Sequence, residues 1–283
     1  MGRWELEVIH QVGDRVRICG TEAKRLARLG FQVYEKAADD YVTDVDRALD
    51  AYLSKEFTAL FPDDGLVTEE NSASLLNFWQ PYPRLWCIDP LDGTQDFING
   101  DPGYSVMVGA MEQHQPIAGW IYAPEYEALY YGGQEFGLWQ SQGGEAPHIL
   151  PPNYLNYNPT FILGYKDFQR FGLAFQSAIP SLKVEKRAGS FGLKVLEILT
   201  GKAGLYVYLN QRVKVWDTAA PLAIARTAGL MCCDLNGQAL QYTRNSLDVE
   251  SLAHRQPIVI GWQPLVETWL PTIQEIVKKI TQK

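Results

Sequence analysis

Two aspartates three residues apart, Asp89 and Asp92, close the apolar run Leu85-Trp86-Cys87-Ile88, and Gly93-Thr94 follow at once. Carboxylates set so close repel one another unless positive charge lies between them, and hard oxygen donors suit Mg²⁺. Gly93 permits a tight turn, and Thr94 can open a short helix over about 94–98. The first amides of such a helix, Gly93 and Thr94, are placed to hold an anion such as phosphate. Phosphate and acids share one turn only with divalent cations between them, so the chemistry suggested is metal-assisted handling of a phosphate group. A plainer reading stands beside it, because Asp-Pro and Asp-Gly are ordinary turn dipeptides.

The elements that must hold this turn follow from periodicity and punctuation. Residues 85–88 read as a buried strand, which Pro90 ends by withdrawing a ladder donor. Upstream, Trp4, Val8, Val12, Val16, Ala23 and Leu26 recur at helical spacing up to Gly30, and Leu49, Leu53, Phe57 and Leu60 mark a second helix that ends at Pro62. A polar loop with Lys36, Asp39 and Asp40 lies between them. Asp44 and Asp46 then open the second helix, where the helix dipole alone would favour acids. Residues 65–71 form a short strand ending in Glu69 and Glu70; which of the two points inward is a period-two question that a one-residue register error inverts.

Past the turn, 104–111 and 116–123 read as adjacent strands, and 128–131 with 137–139 as a hairpin. The GGQEFG within that hairpin is a turn and not a dinucleotide site, and no P-loop is present. Residues 142–157 are rich in Gly, Pro and Asn and suggest a division into 1–147, which carries most of the candidate acids, and 148–283. The second half alternates strand (161–164, 183–186, 205–208) with helix (168–178, 191–200). A further helix begins at about Asp217 or Thr218, which would put Pro221 in its first turn. Alternation of this kind suits a layered α/β fold.

The 283 residues, 46% of them hydrophobic, can bury a sizeable core as one large domain or two intimate subdomains. A net charge of −8 excludes nucleic-acid binding through a basic surface, so attraction for an anionic substrate must be local. Cys19, Cys87, Cys232 and Cys233 show no disulfide or C-x-x-C spacing and read as buried reduced thiols. No signal-peptide core and no membrane-length apolar run is seen, and the expectation is a soluble cytoplasmic protein with no membrane or nucleic-acid partner.

DPLDGTQDF resembles the D-P-[IL]-D-G-T-x-x-[FY] signature of the lithium-sensitive, Mg²⁺-dependent phosphatases, a superfamily of inositol monophosphatases and 3'(2'),5'-bisphosphate nucleotidases. WDTAAPLAIARTAG, from Trp216 to Gly229, is similar to its second signature, and Val42-Thr43-x-x-Asp46 and Glu69-Glu70-Asn71 match two further elements in the right order. The resemblance implies an α-β-α-β-α sandwich, which periodicity alone does not give. It implies two or three Mg²⁺, the first held by Glu69, Asp89 and the Leu91 carbonyl, the second by Asp89, Asp92 and Asp217. Catalysis would fall to Thr94, supported by Asp46, with Glu69 beside the attacking water; that water, activated by metal, attacks phosphorus in line with no covalent intermediate.

Substrate choice is read from fewer residues. Inositol monophosphatases carry an acid seven residues before the second-signature aspartate, and here that place is Asn210. The stretch around Ser190 and Lys194 resembles the bisphosphate nucleotidases instead, which makes those two, with Gly93, Thr94 and Asn210, candidates for contact with a nucleotide bisphosphate; both also read as an ordinary helix start and a surface lysine. The leading expectation is a bisphosphate nucleotidase acting on 3'-phosphoadenosine 5'-phosphate, with a small phosphorylated substrate as partner and a monomer or homodimer as its assembly. An inositol monophosphatase or related sugar-phosphate phosphatase is the alternative. An inactive phosphonucleotide-binding relative is a third reading, disfavoured because every expected ligand is present.

Overall fold

The computed structural model describes residues 4–37, 40–151 and 158–282. In chain order the first elements are α1 (Leu6–Leu29), β1 (Val33–Ala37), β2 (Asp40–Thr43), α2 (Asp44–Leu60), β3 (Gly65–Thr68), a 3₁₀ helix (Ser72–Trp79), β4 (Leu85–Asp92) and α3 (Thr94–Asn99). Strands β5 (Ser105–Glu112), β6 (Gln115–Ala123), β7 (Ala128–Gly133), β8 (Gly137–Gln142) and β9 (His148–Ile149) follow. Then come β10 (Thr160–Gly164), α4 (Tyr165–Ala178), β11 (Lys183–Arg187), α5 (Phe191–Leu199), β12 (Leu205–Tyr208), α6 (Val215–Thr227), β13 (Met231–Cys233), β14 (Ile258–Gly261) and α7 (Gln263–Thr281). None of the described helices is long and apolar enough to cross a membrane.

The chain divides into two compact units. The first takes Met1–Leu150 together with Gly189–Leu193 and Val215–Thr227, so Asp217 groups with the first unit. The reason is steric. The seven-stranded sheet β3-β4-β5-β6-β7-β8-β9 buries one face against α1 and α2, where Val106, Val108, Ala110, Trp120 and Tyr122 meet Val12, Val16, Cys19, Leu49, Leu53 and Phe57. Side chains alternate along a strand, so the neighbours Gly109 and Gly119 point to the other face. They are register partners on β5 and β6. A Cβ at Gly109 would stand 2.6 Å from the Ala219 Cβ, and one at Gly119 2.3 Å from the Ala220 carbonyl oxygen. The paired glycines thus make a slot into which the backbone of α6 settles, and α6 is buried nearly all round, as a helix covered on every side must be apolar.

Gly119→Val would drive two methyl groups into that backbone. Overpacking of this kind costs at least about 1–3 kcal/mol, and the expected result in urea titration is a lower unfolding midpoint with an unchanged slope.

Three expectations for the first unit need correction. The loop around Lys36 is a β1–β2 antiparallel pair, with Lys36 on β1; Asp39 lies outside the described residues. Strand β4 runs on to Asp92, and Pro90 sits where its pairing with β5 shifts register between Asp89 and Asp92, so the missing N–H falls in the irregularity instead of ending the strand. Helix α6 begins at Val215, which places Pro221 inside it, where it has no N–H to give to the Asp217 carbonyl.

The second unit holds the sheet β11-β10-β12-β14-β13, with β10 parallel to both β11 and β12. Phe161, Leu163, Leu205, Val207 and Val259 pack there with Phe171 and Phe175 of α4 and Val266, Ile273 and Val277 of α7. The last two strands and α7 have no counterpart among the elements anticipated from periodicity. Both units are layered α/β structures, the class expected, and the four cysteines are buried and form no disulfide.

Candidate metal and phosphate site

The first unit brings three of the expected acids together. Ligand oxygens of Asp89, Asp92 and Asp217 all lie within 4.8 Å of one another. Asp89 ends the paired part of β4, Asp92 follows the irregularity, and Asp217 stands in the first turn of α6, held down by the glycine slot. Asp89 is 1% exposed. Its Oδ1 accepts from the Leu91 amide at 3.0 Å, while Oδ2 is buried with no hydrogen-bond partner. Burial, then the charges of Glu69, Asp92 and Asp217, push its carboxyl well above the usual range. A buried carboxylate with an orphaned oxygen, set beside two more carboxylates, is costly by itself and is relieved by a cation. The donor set is oxygen throughout, which fits a hard divalent ion.

Gly93 connects this cluster to α3 in the left-handed region, φ 96°, and a Cβ there would come within 2.5 Å of the Gly103 carbonyl oxygen, so glycine is required twice over. The turn delivers Thr94 to Asp46: Thr94 Oγ1 lies 3.0 Å from Asp46 Oδ1 and 3.1 Å from the Leu91 carbonyl. One proton serves two acceptors, so when the Leu91 carbonyl is engaged elsewhere the hydroxyl donates to Asp46. Asp46 is 1% exposed and closes a capping box at the start of α2, accepting from the Thr43 amide at 2.8 Å and from the Thr43 hydroxyl. Burial raises its carboxyl despite these donors. Asp44 serves elsewhere, accepting from the Gln32 amide at 3.0 Å.

Glu69 stands apart from the three-acid cluster. It and Glu70 share Lys36, whose Nζ is 3.3 Å from Glu69 and 2.6 Å from Glu70. Burial pulls Lys36 down, but Glu69, Glu70 and Asp40 outweigh it and its ammonium is held charged. Burial and the Glu69 charge lift Glu70 to about 7. Sequence reading placed Lys36 in a polar loop and gave it no role; the available signal was a single base among acids, two residues from the strand-like Val33-Tyr34.

Ser190 is part of the same unit. Its Oγ donates to Asp92 Oδ2 at 2.5 Å, lies 2.9 Å from the Ser105 hydroxyl, and accepts from the Leu193 amide at 3.0 Å as α5 begins; the Gly192 amide also donates to Asp92 Oδ2 at 3.1 Å. Ser190 therefore orients a carboxylate of the cluster. Ser190→Ala removes a charge-assisted hydrogen bond of about 1.5–3 kcal/mol, and a roughly tenfold or greater rise in the Mg²⁺ concentration for half-maximal activity is the outcome to look for in a metal titration.

The remaining two candidates lie in the second unit. Lys194, on α5, is 6% exposed and is no surface residue. The Asn210 side-chain Oδ1 accepts from the Tyr208 hydroxyl and from the Arg212 amide at 3.1 Å, and the preceding Leu209 amide donates to buried Asp167 at 2.8 Å.

A layered α/β fold carries a carboxylate cluster around buried Asp89, with a threonine–aspartate pair on the same turn, an arrangement that could hold a divalent cation. The profile of the inositol monophosphatase family matches residues 7–261, and the chain belongs to that family of phosphatases. It is 30% identical over 253 residues to the 3'(2'),5'-bisphosphate nucleotidase CysQ of Aggregatibacter actinomycetemcomitans, covering 84% of this chain and 86% of that one. Among solved structures it resembles the Thermotoga maritima IMPase TM1415, with TM-score 0.77 and 22% identity over 97% of this chain and all of the other (100%). It also resembles an IMPase/NADP phosphatase complexed with Mg²⁺ and phosphate, with TM-score 0.74 and 19% identity over 94% of each chain.

Proposed function

We propose that the protein is a Mg²⁺-dependent phosphomonoester hydrolase, a 3'(2'),5'-bisphosphate nucleotidase that removes the 3'-phosphate of 3'-phosphoadenosine 5'-phosphate. The observation that carries the metal-dependent part is the convergence of Asp89, Asp92 and Asp217 on one another, together with a buried Asp89 oxygen that has no hydrogen-bond partner. The nucleotidase part is supported by the 30% identical relative of that name and by a neutral Asn210 where the inositol enzymes are expected to carry an acid.

Two or three Mg²⁺ would be held by Asp89, Asp92 and Asp217, with Glu69 and the Leu91 carbonyl completing the set. Once bound, they would supply charge neutralisation and Lewis acidity at the phosphate. The chain's own groups do the rest. Thr94, donating to Asp46, keeps its lone pairs for the proton of an attacking water, and Asp46 is itself fixed by Thr43. The Gly93 and Thr94 amides hold the phosphate, Glu69 sits near the water, and Ser190 steadies Asp92. Lys194 and Asn210 are assigned to the remainder of the nucleotide on the family resemblance. The protein would act in the cytoplasm as a monomer or homodimer and would be lithium-sensitive.

Phosphate release over a small panel of phosphomonoesters tests the assignment. 3'-Phosphoadenosine 5'-phosphate is expected to show a higher kcat/KM than inositol 1-phosphate, and Lys194→Gln to weaken the bisphosphate by about 1.5–3 kcal/mol while sparing the monophosphate. Preference for inositol 1-phosphate would make the protein an inositol monophosphatase.

A further inference from the structure

Three stretches of the first unit cross beside the acid cluster, and each does so on a glycine: Gly93, Gly103 and Gly189. Helix α3 prepares the crossing by closing in a Schellman turn. The Gly100 amide donates to the Phe97 carbonyl at 3.1 Å and the Asp101 amide to the Asp96 carbonyl at 2.8 Å, with Gly100 in the left-handed region at φ 75°. The chain is thereby turned back, and Gly103 arrives beside Asp96. Its carbonyl oxygen is the hub of the crossing. A Cβ at Gly93 would stand 2.5 Å from that oxygen and one at Gly189, itself at φ 74°, 2.2 Å from it, while the Ser190 amide donates to it at 2.8 Å. Backbones this close leave no room for side chains of their own.

The side chain that does enter is Asp96. A Cβ on Gly103 would lie 1.9 Å from Asp96 Oδ2, and one on Gly189 2.3 Å from the same oxygen. Because a Cβ takes the place of a Cα hydrogen, one carboxylate oxygen faces a Cα–H of both glycines and fills the space their missing side chains leave. Each such contact is weak. Their weight is positional, since they join two stretches far apart in the chain, and the negative charge also lies beside the residues that lead into α5, where a helix dipole favours it. Asp96 is not one of the three acids whose oxygens converge, so it is a support and not a member of the cluster.

The residue supported is Ser190. It is fully buried, its amide is tied to Gly103, and its hydroxyl donates to Asp92 Oδ2 and meets the Ser105 hydroxyl at 2.9 Å. We propose that Asp96 is a positioning residue for the metal site: its carboxylate, seated against Gly103 and Gly189, holds residues 189 and 190 onto Gly103 and so keeps the Ser190 hydroxyl on Asp92. The proposal rests on the reading of Asp92 as a metal ligand.

Two measurements test it. In chelator, hydrogen exchange of the Ser190 amide is expected to quicken by about tenfold in Asp96→Ala, as a locally loosened segment opens more often. In calorimetric Mg²⁺ binding without substrate, the same variant should raise the Kd by about three- to tenfold, no more than Ser190→Ala does, because it acts through that residue. Asp96→Asn keeps an oxygen of the same reach without the charge and should fall between native and alanine in both. Combining Asp96→Ala with Ser190→Ala should add little to the Kd of Ser190→Ala alone, as for two members of one unit, whereas an unrelated structural loss would add in full. Native exchange at Ser190, an additive double variant, or faster exchange with native Mg²⁺ binding each overturns the proposal. Asp92→Asn separates the two ideas. If it leaves Mg²⁺ binding unchanged, Asp92 is no ligand and the proposal falls with that reading; if it weakens binding while the Asp96 variants do not, only the positioning role is wrong.

Discussion

Asp89→Asn should lose activity by about a hundredfold or more, the scale of removing one preorganised electrostatic group, or roughly 2.7 kcal/mol in the barrier. Asp89 is the most buried charge of the cluster, and one of its oxygens has no hydrogen-bond partner. The same substitution should not harm the metal-free fold. Asparagine can still accept from the Leu91 amide, and the repulsion from Glu69, Asp92 and Asp217 at this position disappears. The sign with pH follows: a carboxyl raised in the folded state contributes stability at low pH that is lost as pH rises through its folded value. In chelator, therefore, the native protein should lose more stability between acid and neutral pH than Asp89→Asn does. Added Mg²⁺ should stabilise the native protein by about 2.7 kcal/mol at a hundred times its Kd, read as a higher melting temperature, and leave the variant nearly unmoved. A variant that keeps native turnover in the presence of chelator would remove the metal-dependent mechanism.

Thr94→Ala is expected to cut kcat by about a hundredfold, within the usual range for a proton-transfer group, with KM altered little. The hydroxyl orients a water through its bond to Asp46, whereas phosphate is assigned to the amides of residues 93 and 94, which the substitution leaves in place. A rise in KM at constant kcat would show uniform binding instead and move Thr94 out of the proton path.

The cluster was legible because its members sit at punctuation marks. Asp89 and Asp92 flank a proline before a glycine, and Asp217 opens a run of small residues that could only be a buried helix. Register and partner choice were not legible. Ser190 read as a substrate contact because a serine before a helix says nothing about which carboxylate it will meet, and Asp92 is almost a hundred residues away. Lys36 was lost because a two-stranded pair exposed along β1 has no apolar alternation to betray it. Pro221 misled, since a proline argues for a helix start, yet α6 tolerates it in the middle where sheet packing on the glycine slot overrides local propensity.

That slot also sets an order of events during synthesis. The ribosome releases both glycine strands and two of the three clustered acids long before α6 (Val215–Thr227) emerges, since the second of those strands already ends at Ala123. Until then the nascent sheet shows a bare face around Gly109 and Gly119, the kind of surface on which partly made chains stick together. The protein thus gains its last clustered acid in the same step that seals its most aggregation-prone surface, and a chain cut short before residue 215 should be recovered as insoluble material rather than as a stable, metal-blind fragment.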